Sequence, residues 1–142
     1  REDEVMDLES HELLTVIYRL TLTTQTKERE YENSVLLSRS RFDAPATRSL
    51  RFYREYFKPA KVIEVQKERR RYHIRYGGTD FAVNIDSISK PVPTGSFIEI
   101  KSRTWSRQDA ERKAALIGEL LSVLQIPNEA LIKEEYVQLA GA

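Results

Sequence analysis

"RYHIRYGGTDFAVNID", residues 71–86, places two runs of alternating apolar and polar residues on either side of Gly77-Gly78. A two-residue hairpin loop needs positive φ at both central positions, and glycine reaches it without a Cβ clash. The stretch therefore predicts a tight β-hairpin and, with it, an antiparallel sheet. On the returning strand, alternation puts Phe81, Val83 and Ile85 on a buried face and directs Ala82, Asn84 and Asp86 to the other.

Further strands are expected on both sides. "LLTVIYRLTLTT" at 13–24 is rich in β-branched and aromatic residues and alternates Val16, Tyr18, Leu20 and Leu22 against Thr15, Ile17, Arg19 and Thr21. "EREYENSVLLSRSRF" at 28–42 reads as a second extended segment, with Glu28, Glu30 and Glu32 on one face. "KVIEVQK" at 61–67 reads as a short strand before the hairpin, and Pro91, Pro93 and Gly95 mark the loop that leads into "FIEIK" at 97–101.

Three helices are predicted among these strands. Asp43 and Pro45 are expected to start the first, with Ala46, Leu50, Tyr53 and Phe57 at helical spacing until Pro59. Ser106 with Asp109 three residues on has capping-box spacing, and Ala110, Ala114, Ile117, Leu121 and Leu124 form a stripe behind it. A last helix is expected over Asn128 to Leu139, burying Leu131, Ile132 and Tyr136.

The chain has 142 residues, 32% charged and 40% apolar, with a formal net charge of +1. That length suits a single domain, and the charge balance is that of neither a disordered tail nor a grossly basic nucleic-acid binder. There is no cysteine, so disulfides, thiolate nucleophiles and Cys-ligated zinc are excluded. With only His11 and His73 as imidazoles, any metal is expected to be a hard ion on carboxylates, Mg²⁺ or Mn²⁺. No run of about 18 apolar residues and no signal-peptide pattern occurs, so a cytoplasmic protein without a membrane partner is expected. The acidic start "REDEVMDLES" suggests a piece of something longer.

The polar strand faces carry most of the chemistry. Glu28, Glu30 and Glu32, then Asn84 and Asp86, then Glu99, Lys101 and Arg103 fall on single faces at period two, and "VQKERRRYHIRY" adds Lys67, Glu68, Arg69, Arg70, Arg71 and Arg75. Mixed charges are the ordinary cover of a sheet face that meets water. The same residues would also line a wet cavity if the sheet curls with this face inward. There carboxylates hold a divalent cation while Lys and Arg hold phosphate oxygens, a pairing that a polyphosphate uses. Trp105 is expected to pack where the last strand meets its helix, His73 to be structural, and Arg107, Arg112 and Lys113 to form a solvated helix face.

"QKERRRY", then "VNIDSI", then "GSFIEIK" running into a helix resembles, in order and spacing, the C-terminal part of CYTH domains, the triphosphate tunnel metalloenzymes that include class IV adenylyl cyclases and thiamine triphosphatases. "REYE" after "YRLTLTTQTK" is similar to the family's middle pair of strands, and the resemblance covers roughly residues 14–124. It implies an α+β fold, mainly an incomplete antiparallel β-barrel or tunnel with inserted and C-terminal helices. The activity it implies is metal-dependent hydrolysis of a triphosphate or nucleoside triphosphate, or cyclase chemistry on ATP. By position, Lys67 and Arg69 would bind phosphate, joined by the cations Lys101 and Arg103, while Glu30, Glu32, Asp86 and Glu99 would hold Mg²⁺ or Mn²⁺.

Two departures set this sequence apart. The family's N-terminal Glu-x-Glu-x-Lys strand has no match, which suits a single domain over 1–142 truncated on its N-terminal side. Lys101 stands where many members carry a second acid, which weakens metal binding and favours phosphate or an internal ion pair. Together they leave open a non-catalytic phosphate-binding or regulatory module attached to a P-loop kinase, although no Walker motif occurs in the chain. A linked kinase domain or a second copy are the macromolecular partners expected. RNA binding by the Arg-Tyr strand ranks behind these and would show steep salt dependence.

Overall fold

Gly77 and Gly78 have φ of +54° and +71°, the left-handed pair that a two-residue turn requires. The computed structural model describes residues 1–90 and 95–141. On either side of the glycines run β4 (Gln66–Tyr76) and β5 (Thr79–Lys90), paired antiparallel from Tyr76↔Thr79 to Lys67↔Ile88, with a register shift between Gln66 and Lys67. The strand expected at 61–67 begins only at Gln66, continuous with 71–76, because the β4–β5 ladder extends that far and no farther. β6 (Gly95–Lys101) pairs antiparallel on the other side of β5, and Pro91 and Pro93 lie outside the described residues.

The elements before this sheet are β1 (Glu2–Met6), β2 (Leu13–Glu30), β3 (Val35–Pro45) and α1 (Leu50–Phe57); those after it are α2 (Arg107–Val123), a 3-10 turn at Asn128–Ala130 and α3 (Tyr136–Gly141). The strands form two three-stranded sheets, β1-β2-β3 and β4-β5-β6, and no closed barrel is present among the described residues. The chain divides into two compact units, residues 1–27 with 37–61 and residues 28–36 with 62–142. Two of the boundaries fall inside β2 and β3, and the third lies between α1 and β4.

In the first unit the acidic start is itself a strand, β1, antiparallel to β2 from Glu2↔Tyr18 to Met6↔Leu13. A turn links them, held by Asp7 Oδ1, which accepts from the backbone N–H groups of Ser10 at 2.7 Å and Glu9 at 2.9 Å. The first helix starts later than Asp43 and Pro45 suggest. Asp43 stays in β3, where its carboxylate accepts from Thr21 Oγ1 at 2.6 Å and pairs with Arg41 at 2.7 Å. Ser49 is the N-cap instead, its hydroxyl accepting from Phe52 N, and Lys58 closes the helix at φ +45° before Pro59.

The second unit holds the buried core, and β5 lies at its centre. Phe81 and Val83 are buried as expected, but Ile85 is 39% exposed and the supposedly open face is the more enclosed one: Asn84, Asp86 and Ile88 are buried. Alternation predicts which residues share a face. Which face is covered depends on elements distant in sequence. On the Phe81 side, α2 approaches the hairpin end, where Arg112 donates to Thr79 Oγ1 at 2.9 Å and Tyr76 to Glu119 at 3.2 Å. A Cβ on Gly77 would stand 2.6 Å from Leu116 Cδ2.

Ser106 caps α2 as the spacing predicts, accepting from Asp109 N at 3.0 Å, and Asp109 reaches back to Trp105 N at 3.2 Å. Two helix-face expectations fail. Lys113 is buried: its ammonium donates to the Arg103 carbonyl and pairs with Asp109 at 2.9 Å, because the helix start folds back on the chain leaving β6. Trp105, expected to pack, is 81% exposed.

The segment after α2 is not one helix over Asn128 to Leu139. The backbone is extended at Leu131, Ile132 is 50% exposed, and a short α3 begins at Tyr136. Lys133 ties this segment to the tip of the β2–β3 hairpin, donating to Glu30 at 2.8 Å and to the Tyr31 carbonyl at 3.0 Å.

Candidate functional site

Period two along β4 puts Lys67, Arg69, Arg71, His73 and Arg75 on one side of the sheet, while Glu68, Arg70 and Tyr72 point to the other. The ladder sets Arg69 beside Asp86 and Arg71 beside Asn84. Across β5 it sets Asp86 beside Phe97, Asn84 beside Glu99 and Ala82 beside Lys101. Five of the residues singled out in the sequence therefore meet on one polar face: Lys67, Arg69, Asp86, Glu99 and Lys101.

Arg69 is the hub. Its Nε and Nη2 donate to the two oxygens of Asp86, both at 2.6 Å, a bidentate fork, and Nη2 also reaches Glu99 Oε2 at 2.9 Å. Lys67 adds a third donor to Asp86 at 3.1 Å. Glu99 is completed by Asn84 Nδ2 on Oε2 at 3.1 Å and by Lys101 on Oε1 at 2.7 Å. Three cations thus serve two carboxylates.

Tyr136 of α3 covers one end of the face. Its phenol is near enough to Asp86 to help lower the pKa of that carboxyl, its ring meets Phe97 edge-on at 5.4 Å between centroids, and the Lys67 ammonium stands 4.5 Å from the ring centroid. No solvent reaches the Asp86 side chain. Exposure rises along the face, from 17% for the Arg69 side chain to 36% for Glu99 and 48% for Lys101.

The electrostatics follow the geometry. Burial pushes the Asp86 carboxyl up, but hydrogen bonds from Arg69, Tyr136 and Lys67 outweigh it and bring its pKa down to about 2. Glu99 is also pushed up by burial, and donors on Lys101 and Asn84 with the charges of Lys101 and Arg69 hold it below the usual carboxylate value. Burial and the neighbouring Arg69 lower Lys67 despite its bond to Asp86, while burial and the Asp86 bond push the Tyr136 phenol well above its ordinary value.

The remaining sequence candidates lie elsewhere. β6 ends at Lys101, so alternation no longer governs Arg103, which is exposed while its carbonyl holds Lys113. Glu28, Glu30 and Glu32 do not share a strand: β2 stops at Glu30 and Glu32 is exposed in the turn before β3. Glu30 is held by Lys133 at 2.8 Å. Among the described residues no group of three His, Asp or Glu side chains is arranged to hold a metal ion. Both oxygens of Asp86 are engaged by cations, and Glu99 Oε1 is the carboxylate oxygen of the face held only by an exposed ammonium.

Asn84, Arg71 and Tyr136 belong to this face and are missing from the residues picked by motif. Asn84 and Arg71 were within reach of the alternation that found their neighbours. Tyr136 was not, since only the docking of a six-residue helix puts it over Asp86. Compared with known proteins, the chain significantly matches no family model, no curated protein and no solved structure.

Proposed function

We propose that the polar face of β4–β6 binds the phosphates of a triphosphate-bearing ligand. What supports it is the convergence of Lys67, Arg69 and Lys101 on one face around only two carboxylates, with both lysine ammonium groups partly open to solvent. Each cation has a defined task. Arg69 is oriented by the Asp86 fork and presents charge from a fixed position; Lys67 and Lys101, on flexible stems, can turn from carboxylate to phosphate. Asp86 is then a positioning residue that keeps the guanidinium in place.

Metal-dependent hydrolysis of the same ligand is a second reading, favoured by Glu99. A phosphate that draws Lys101 away leaves Glu99 Oε1 for Mg²⁺ or Mn²⁺, which would supply neutralisation of phosphate charge. No step is routed through Asp86, whose oxygens stay with Arg69 and Lys67. A binding module attached to a kinase domain needs only the first reading, and the CYTH resemblance favours the second.

Titration calorimetry with tripolyphosphate and ATP, with and without Mg²⁺, separates these. Binding is expected without metal and should weaken about tenfold in Lys67→Gln and in Lys101→Gln, the scale of one lost charge-assisted contact. Absence of binding at millimolar ligand would refute the phosphate site. Phosphate release that needs Mg²⁺ or Mn²⁺ and disappears in Glu99→Gln would establish the hydrolase reading, and its absence would leave the binding module.

A further inference from the structure

α1 divides cleanly into two sides, and its apolar side is uncovered. At about 100° per residue, Leu50, Phe52, Tyr53, Tyr56 and Phe57 fall within an arc roughly 160° wide, and Arg51, Arg54 and Glu55 occupy the rest. No residue of the helix is buried: Leu50 and Tyr56 are 69% and 71% exposed, and Phe52 and Phe57 are exposed as well. Tyr53 is the inner edge of the stripe, its hydroxyl accepting from the backbone N–H groups of Thr47 at 3.0 Å and Arg48 at 3.3 Å.

Charge decides what can cover this stripe. Residues 48–58 carry the cations Arg48, Arg51, Arg54 and Lys58 against one acid, Glu55, which Arg51 holds at 2.8 Å. Arg54 and Lys58 make no ion pair among the described residues. A second copy laid on the stripe would bring the same cations against these, so the surface fits an anionic occupant. The rings narrow the choice. Stacked bases of a single-stranded nucleic acid need open ring faces. Here Phe52 lies nearly parallel to Tyr56 at 6.0 Å and Tyr53 to Phe57 at 6.4 Å, Phe52 meets Tyr53 and Tyr56 meets Phe57 edge-on, and Arg48 stands 5.9 Å from the Phe52 centroid. The four rings fill one another's faces and make one apolar ridge. A helix about 12 Å long, joined to the chain at both ends, can be laid on a flat surface but not enclosed by a groove.

We propose that α1 docks on an anionic lipid surface, with Leu50, Phe52, Tyr56 and Phe57 entering the headgroup boundary while Arg48, Arg54 and Lys58 meet the lipid phosphates and carboxylates. Eight residues are too few to cross a bilayer and enough to lie along its boundary. The contact is independent of the phosphate reading of β4–β6.

Co-sedimentation of the full chain with vesicles tests it, using phosphatidylcholine alone and phosphatidylcholine with about 30% phosphatidylserine. Partition onto the anionic vesicles is expected to be at least about tenfold stronger than onto the neutral ones, and to fall about tenfold between about 0.05 M and 0.5 M salt. Arg54→Gln should weaken it about fivefold and Tyr56→Ser about tenfold, while Arg107→Gln on α2 should leave it within about twofold. Arg54 and Tyr56 are exposed, so neither change opens a core. Partition onto neutral vesicles as strong as onto anionic ones, none onto either, or an undiminished value in both Arg54→Gln and Tyr56→Ser would overturn the proposal. So would a dimer in solution that Tyr56→Ser dissolves, or capture of a single-stranded oligonucleotide that Tyr56→Ser abolishes while vesicles stay unbound.

Discussion

Replacing Asp86 by Asn keeps the shape of the side chain and removes its charge, at a position solvent does not reach. The amide oxygen can still accept from Arg69 or Lys67, but its NH2 group is brought against a guanidinium or an ammonium. Breaking one partner out of a buried pair costs about 3–5 kcal/mol, and the retained bond from Arg69 to Glu99 places this case at the low end. An independent route gives a similar size. With its pKa brought from an ordinary carboxylate value to about 2, Asp86 contributes roughly 2–3 kcal/mol at neutral pH. The sign is that of a depressed acid: the contribution is fully present above the unfolded-state pKa, near 4, and is lost as pH falls toward 2. Urea denaturation followed by far-ultraviolet circular dichroism should show Asp86→Asn about 2–3 kcal/mol less stable at pH 7, with Tm lower by about 5–10 °C. The deficit should be about half gone by pH 3, where the unaltered protein has lost about half of the same contribution. A deficit below about 0.5 kcal/mol at pH 7, or one that does not shrink at pH 3, would refute the ion network as a source of stability.

Three further outcomes are expected. Tyr136→Phe removes the phenolic donor to Asp86 and should cost about 1–2 kcal/mol while raising the acid-unfolding midpoint, and an unchanged midpoint would show the hydroxyl has no hold on Asp86. Gly77→Ala forces a side chain to φ +54° and drives its Cβ toward Leu116, so it should destabilise by at least about 1 kcal/mol; in Leu116→Ala the same change should cost less, a coupling readable in a double-mutant cycle. Ser106→Ala should cost about 1 kcal/mol by thermal melt, with Ser106→Asp near neutral, because the cap is one oxygen accepting from Asp109 N.

Local grammar was legible where one rule sufficed. The Gly77-Gly78 turn, the strands on either side of it and the Ser106 cap each depend on a few neighbouring residues, and each stands where its pattern puts it. The meeting of Lys67, Arg69, Asp86, Glu99 and Lys101 was legible too, because antiparallel pairing at period two aligns them once the hairpin register is known. Strand ends were less accessible. Glu32 and Arg103 were assigned to faces by extending an alternation past the residue where the ladder stops, and a ladder stops for reasons of pairing that the strand's own residues do not carry. Burial was hardest to read. Lys113 looks like a solvated residue and is covered, Trp105 looks like core and is exposed, and the polar side of β5 is more enclosed than Ile85 on its apolar side. No helix among the described residues is long and apolar enough to cross a membrane, in line with the expectation from hydropathy.

The graded exposure of the polar face decides where partners can be exchanged. At the Tyr136 end, Arg69 and Asp86 share two 2.6 Å bonds with the Asp86 side chain out of reach of water, and parting them costs about 3 kcal/mol, the low end for a buried pair because Lys67 stays on Asp86 and Glu99 on Arg69. At the far end, Glu99 and Lys101 meet at 2.7 Å with side chains 36% and 48% exposed, where a pair is worth about 1 kcal/mol or less. The Lys101 pair is therefore the one that an anion could displace at little cost, with the Asp86 fork intact. The carboxylates so divide into a firmly held one, which fixes the guanidinium, and an exchangeable one, whose bond to Lys101 is the weaker of the two. Lys101, which stands where the resemblance leads one to expect a second acid, is here the partner that neutralises Glu99.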